Sequence, residues 1–248
     1  MDVTGGSLIV VLAAGGLAGL VRGFSGFGAS LTFVPIAGRH IPPADAIVLI
    51  SLVDAFVALA LVPGAARLAQ HRKVIALAAG AAVAIPVGAY LLSRLDVLTV
   101  RWVLCALVAL SVLVLASGWR YRREPPPPAA VAIGAIAGFM GGIGGLFGPA
   151  VMVFLMSSDA AARVVRANII VFLAWMIVVA SVAYVYFGLF RVELVWQALM
   201  LAPAFGVGVL VGVYGFGRAR AAHYRSVVYT LIGLAAVTGL PILDDYLR

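Results

Sequence analysis

The chain has 248 residues, of which 65% are hydrophobic and 10% charged, and its mean hydropathy is +1.17. This composition excludes an ordinary water-soluble globular domain. The formal net charge of +8 would also suit a nucleic-acid-binding protein. In so apolar a chain, however, the basic residues are better explained as loop arginines that set orientation in a membrane, and we expect no nucleic-acid partner.

The apolar segments of the first half are all predicted to be helices, because an open sheet edge is not satisfied in lipid. Two short arms, 7–21 and 24–37, flank a glycine-rich passage, and three segments long enough to cross a membrane follow at 44–62, 74–92 and 99–118. A basic, proline-rich linker then occupies residues 120–128. We expect this linker to be extended, because its four consecutive prolines do not fit inside a helix.

The second half follows the same plan. Its short arms are predicted at 130–140 and 143–156, and its long segments at 167–187, 194–216 and 226–241. The predicted domains are therefore a first transmembrane repeat, 1–119, the linker, 120–128, and a second transmembrane repeat, 129–248.

An internal repeat relates the two halves residue by residue. At a shift of 119 residues, Gly15, Gly19, Gly23 and Gly26 align with Gly134, Gly138, Gly142 and Gly145. At a shift of 124 residues, Gly88, Tyr90, Arg94 and Arg101 align with Gly212, Tyr214, Arg218 and Arg225. Duplicated halves in a membrane protein are typical of secondary transporters.

The short arms determine the predicted topology. About 15 helical residues rise only about 22 Å, too little to cross the membrane comfortably, so each pair of arms is predicted to enter and leave on one side. Each half then makes an odd number of crossings, and the halves are inverted. This arrangement places 11 loop arginines and lysines on one face of the membrane and 5 on the other. A single broken crossing per passage would instead place 8 on each face. The excess predicts a cytoplasmic linker and both termini outside.

The fold class that we predict is an all-α polytopic membrane protein with two inverted repeats. Each repeat consists of a glycine-broken short-helix hairpin plus three transmembrane helices. Two full short spans in place of each hairpin would give the same sidedness, so that alternative stays open.

The glycine passages read GFSGFG at 23–28 and GGIGGLFGP at 141–149. Glycine lets a ligand approach the main chain closely, and a helix that starts after each passage offers free amide donors and about half a positive charge. Two such helix starts that enter from opposite faces meet near the midplane, which suits a small anion. The glycines expected to bind it are Gly23, Gly26, Gly28, Gly142, Gly144, Gly145 and Gly148.

Two ionisable residues are predicted at membrane depth, where each costs at least a few kcal/mol. Arg22 precedes the first passage and is either a fixed positive charge for the anion or a buried partner of Asp54. Asp54 falls mid-helix and either carries a coupled proton or pairs with Arg22. Both alternatives stay open for each residue.

Other polar and aromatic residues have weaker signals. Ser25 beside the first passage, Asn168 in the helix after the second, and Trp175, at the place corresponding to Asp54, are expected to line the site. Packing is the more common role for such a tryptophan. Asp45 is expected to cap a helix, and Tyr184, Tyr186, Trp196 and Tyr246 to lie at the membrane interface.

No cofactor, metal or catalytic function is expected. The three histidines, His40, His71 and His223, fall in loops without the spacing of metal ligands. A nucleophile with a base at membrane depth is also missing from the pattern, which argues against an intramembrane enzyme.

The paired passages 19–35 and 138–154, in a duplicated chain of this length, resemble the sulfite exporter TauE/SafE family of membrane permeases. The resemblance implies a multi-pass transporter, in the lipid of the cytoplasmic membrane, for small sulfur-containing anions such as sulfite, sulfoacetate and other sulfonates, or thiosulfate. Export by alternating access is the favoured mechanism. A proton-coupled importer, an anion channel and assembly into a homo-oligomer remain alternatives.

Overall fold

The structure is a computed structural model that describes residues 5–117, 127–155, 160–218, 232–235 and 239. Within these residues the secondary structure is helical, with no strand. The helices, in chain order, are α1 (Gly5–Ser25), α2 (Ala29–Ala37), α3 (Pro43–Ala66), α4 (His71–Arg94), α5 (Val97–Ala116), α6 (Pro127–Gly144), α7 (Gly148–Leu155), α8 (Ala162–Tyr186) and α9 (Glu193–Arg218).

The predicted all-helical membrane architecture is confirmed. In the part of the chain that the structure describes, six helices are long and apolar enough to cross a membrane by length and composition. These are α1, α3, α4, α5, α8 and α9. The predicted segment 226–241 lies outside the described residues except for 232–235, which are helical, and for residue 239.

Two details of the prediction are wrong. The first arm does not stop at residue 21: α1 continues to Ser25, and its stretch Leu8–Ser25 is long enough to cross a membrane. The four prolines of the linker are not all outside a helix either, since α6 begins at Pro127. Proline is tolerated there because the first N–H groups of a helix have no partner within it.

The chain forms two compact units that do not coincide with its sequence halves. Unit 1 contains Met1–Val53, Leu95–Val112 and Arg191–Arg248, and unit 2 contains Asp54–Arg94 and Leu113–Phe190. In unit 1, α1 packs chiefly on α9, and in unit 2, α6 packs chiefly on α4. Each pair thus joins one helix of the first half with one helix of the second.

Glycines bring the two main chains together in the pair α1 and α9. A methyl group at Gly19 would overlap the carbonyl of Phe205, and one at Gly23 would overlap the carbonyl of Val209. Glycines of α9 are equally constrained from the other side: Gly208 faces the carbonyl of Gly16, and Gly212 that of Leu20. Small residues at this spacing permit the close helix approach common in membrane proteins.

The pair α6 and α4 has the same contacts at the repeat-related positions. Gly138 and Gly142 face the carbonyls of Ala81 and Ile85. These four residues are the mates of Gly19, Gly23, Phe205 and Val209 under the shifts of 119 and 124 residues. The two helix pairs therefore share one packing register.

This packing predicts opposite effects for two glycine-to-alanine substitutions. Gly19→Ala should lower the free energy of unfolding by about 1–3 kcal/mol, because the added methyl group overpacks against backbone. Gly206→Ala, in α9, is the matched control: its added methyl group would have nothing within 4 Å. Alanine should there be neutral or stabilise by up to about 1 kcal/mol through helix propensity. Thermal unfolding in detergent, followed by far-UV circular dichroism, tests this, and equal melting temperatures for the two variants would contradict it.

Candidate functional site

Each of the two glycine passages contains one short break between helices. Residues 26–28, here called the first turn, separate α1 from α2, and residues 145–147, the second turn, separate α6 from α7. The prediction that a new helix begins just after each passage is confirmed. The breaks are shorter than the passages, because Gly23 lies within α1, Gly142 and Gly144 lie within α6, and Gly148 is already the first residue of α7.

The two turns stop their helices in the same way. Gly26 has φ of 79° and its repeat mate Gly145 has φ of 70°, both in the left-handed region. The N–H of Gly26 donates to Arg22 O at 2.9 Å, and the N–H of Gly145 donates to Gly141 O at 2.6 Å. These are left-handed helix caps at equivalent positions, and a β-carbon would strain the backbone at either.

Side chains from α1 satisfy the carbonyls of the first turn. Arg22 is buried, and its Nη1 donates to the carbonyl of Gly26. The single hydroxyl hydrogen of Ser25 is shared between Val21 O, at 2.7 Å, and the carbonyl of Phe27, and the Ser25 oxygen accepts from the N–H of Phe27 at 3.3 Å. Ser25 is thus a turn-forming residue.

The second turn has neither of these side chains. The repeat mates of Arg22 and Ser25 are Gly141 and Gly144. The ring of Phe147 occupies the space that a side chain at Gly141 would need. The first turn thus holds a buried cation where the second holds an aromatic ring.

A tyrosine from α8 reaches the end of α6 instead. Tyr184 is 1% exposed, and its hydroxyl lies 3.1 Å from Gly141 O and 3.3 Å from Gly142 O. The expectation that Tyr184 lies at the membrane interface is therefore wrong. Tyr186, two residues later, is 82% exposed, in keeping with that expectation. No sequence signal links Tyr184 to glycines more than forty residues earlier.

The remaining predicted residues lie elsewhere in their units. Asn168 is buried at the start of α8, where its Oδ1 accepts from the N–H of Gln70 at 2.6 Å and its Nδ2 donates to Gln70 Oε1 at 3.4 Å. Trp175 is 59% exposed. Asp54 lies in the part of α3 that belongs to unit 2, whereas Arg22 belongs to unit 1, and a pair between them stays a hypothesis.

One ion pair was missed by sequence reasoning. Asp45 lies in the first turn of α3, as expected of a capping residue, but its carboxylate is bonded to Arg191, which is 146 residues away. The Asp45 side chain is mostly buried, so a partner of opposite charge offsets the cost of burying it. Among the residues described, no group of three or more His, Cys, Asp and Glu has the arrangement of a metal site.

The contacts of Asn168 predict a structural effect. Asn168→Ala should lower the free energy of unfolding by about 1–3 kcal/mol, because the partly buried N–H of Gln70 loses its acceptor. Gln70→Ala is the control, since it removes only the longer side-chain contact and keeps the backbone N–H bonded. Chemical unfolding in mild detergent compares the two variants. Equal losses of stability would show that the 2.6 Å bond is not the important one.

Comparison with known proteins shows the family of this chain. The family described as "Sulfite exporter TauE/SafE" matches residues 11–238, which cover both turns and every described helix from α2 to α9. No curated protein and no solved structure matches the chain. Because the match extends over most of its length, the chain belongs to the sulfite exporter TauE/SafE family, a family of membrane transporters for sulfite-type anions.

Proposed function

We propose that this membrane protein exports small sulfur-containing anions, namely sulfite, sulfoacetate or another sulfonate, or thiosulfate, across the cytoplasmic membrane by alternating access. In this proposal both termini are outside and the linker, 120–128, is cytoplasmic. Family membership supports the transport of a sulfite-type anion. The observation that carries the assignment of the binding residues is the pair of equivalent left-handed caps at Gly26 and Gly145.

The bonding at the first turn favours an anion over a cation. Arg22 and Ser25 direct their donor groups at the carbonyls of residues 26 and 27, the groups that a cation would need. The cap residue of α2 is Gly28, which makes no side-chain cap hydrogen bond. The first amides of α2 therefore keep their donor capacity, and the adjacent guanidinium adds a positive charge.

The second turn shares the left-handed cap, at Gly145, but Phe147, the repeat mate of the left-handed Gly28, has no positive φ, and the turn contributes no charge. Gly148 and Pro149 begin α7 and are both buried. We propose that Arg22 and the amides of Gly28 and Ala29, directly after the Gly26 cap, bind the anion at the first turn. At the second turn we propose the amides of Phe147 and Gly148, because the N–H groups of Gly145 and Leu146 already donate to Gly141 O and Met140 O. Gly23 and Gly142 then act by permitting close helix packing, Gly144 is the last residue of α6, and Ser25 acts by forming the turn. Asn168 and Trp175 have no described contact with either turn.

The direction of transport follows from electrical work. Moving one elementary charge across the membrane is worth about 2.3 kcal/mol per 100 mV, so an inside-negative potential expels an anion without coupling. Uptake would require a coupled cation, for which intramembrane carboxylates are the usual carriers. Asp54 is the one carboxylate at mid-span in the helices that the structure describes. We therefore propose uncoupled export. If transport were instead coupled to protons, Asp54 would be the candidate proton carrier.

The first test is flux in proteoliposomes that contain the purified protein. Labelled sulfite, thiosulfate and sulfoacetate are compared under an imposed potential, with and without a pH gradient. We expect saturable flux that is driven by the potential alone and accelerated by unlabelled anion on the opposite side. Flux that does not saturate, or shows no such acceleration, would indicate a channel. The absence of flux for all three anions would refute the substrate class.

The glycine caps provide a test of the site. Gly26→Val and Gly145→Val should each lower the maximal flux at least tenfold, because valine does not adopt a positive φ without strain. Gly188→Val is the matched control, since Gly188 has φ of 71° but nothing within 4 Å of an added β-carbon and lies in the loop after α8. It should transport normally at equal protein content. Loss of flux in all three variants would mean that strain in general, and not the turns, is responsible.

Asp54→Asn distinguishes uncoupled export from proton coupling. The substitution removes the titratable carboxyl group and keeps the size of the side chain. We expect potential-driven flux within about twofold of the wild-type value, because an uncoupled anion needs no proton carrier. If wild-type flux requires a pH gradient and Asp54→Asn abolishes that requirement, the protein is a proton-coupled transporter.

A further inference from the structure

At the end of α6, the carbonyl of Gly142 receives no hydrogen bond from the N–H four residues later. In a continuing helix the N–H of Leu146 would donate to Gly142 O, but here it donates to Met140 O at 3.3 Å. The carbonyls in the last turn of any helix need donors from outside it. At the first turn Arg22 and Ser25 supply donors locally, but the positions equivalent to them in α6 are glycines.

The hydroxyl of Tyr184 supplies the missing donor. It lies within hydrogen-bonding distance of both Gly141 O and Gly142 O, and the side chain that carries it is fully buried. Gly141 O is also the acceptor for the N–H of Gly145, the residue in the left-handed cap. One phenol group thus bonds to the same carbonyl that closes the second turn.

Burial makes this contact costly to lose. A buried carbonyl without a donor costs more than one that water can reach, and the packed end of α6 leaves little room for relaxation. Gly142 is also pressed against the backbone of α4, where a methyl group would overlap the carbonyl of Ile85. The last turn of α6 is therefore held by packing against α4 on one side and by the hydrogen bond from Tyr184. These contacts fix the position at which the second turn begins.

We infer that Tyr184 is a positioning residue for the second glycine turn: its hydroxyl holds the end of α6 so that the amides of Phe147 and Gly148 keep the geometry in which they bind the anion. Tyr184 itself does not contact the substrate. The transport consequence of this inference rests on the proposed function, whereas the restraint on the turn does not.

The test compares Tyr184→Phe with Tyr186→Phe. Each substitution removes one oxygen atom and no ring volume, but only Tyr184 is buried, and its hydroxyl alone reaches the end of α6. Amide hydrogen exchange at residues 145–148 is measured by mass spectrometry in detergent. Exchange in Tyr184→Phe should be faster by about 2- to 10-fold, the factor set by the net value of one hydrogen bond. Tyr186→Phe should match the wild-type protein.

Sulfite flux in proteoliposomes gives the functional readout. Tyr184→Phe should raise the KM for sulfite by a similar factor of about 2- to 10-fold, with the maximal flux per folded protein little changed. A merely structural role would instead lower the amount of active protein, and therefore the maximal flux, at unchanged KM. That outcome would overturn the inference.

Two further outcomes keep the inference separate from the proposed function. Unchanged exchange at the turn in Tyr184→Phe, or an equal change in both variants, would overturn the restraint itself, even in a protein that transports sulfite. Faster exchange with an unchanged KM would overturn the positioning role while the proposed function stands. If the wild-type protein carries no sulfite, the proposed function fails for that anion, and the exchange comparison alone then supports or overturns the restraint.

Discussion

Where α1 meets α9, and where α6 meets α4, the two main chains are so close that glycine positions leave no room for a side chain. In lipid, helices gain little from hydrophobic burial against each other, so close packing supplies much of the attraction. The rest of each unit depends on this contact, because α1 and α6 are the helices that end in the two turns. Several backbone contacts hold each of these helices against its partner. The position at which each turn begins is therefore set by protein contacts and not by the surrounding lipid.

The helices were the part of the fold best predicted from sequence. Apolar runs separated by charged residues placed α3, α4, α5, α8 and α9 within a few residues of their observed bounds. The ends of the short arms were harder to place, because a glycine is equally compatible with a break and with a helix packed closely on another. Gly23 is such a case: the sequence pattern predicts it in a break, but it is helical and faces the Val209 carbonyl. Only the position of the partner helix, nearly two hundred residues later, shows whether such a glycine breaks a helix or packs closely on another.

The candidate site was predictable in its backbone and not in its side-chain contacts. The duplication marked Gly26 and Gly145 as equivalent, and both have the left-handed conformation that only glycine adopts freely. Contacts across four residues or fewer, such as Arg22 to Gly26, follow from local geometry once a turn is assumed. Those of Tyr184 and Asn168 span 42 to 98 residues, and no periodicity or motif in one sequence encodes them.

The crossed pairing of helices has a consequence for how the protein is made. During synthesis α4 meets its partner as soon as α6 has emerged, whereas α1 emerges before both and lacks α9 until seven further helices have been translated. The glycine face of α1 must therefore stay in the bilayer, or against the insertion machinery, without its final neighbour for most of that time. A gene divided within the linker would produce two fragments, each with one member of both pairs and neither with a complete pair. Such fragments would have to assemble with each other, after insertion, before either could form a finished unit.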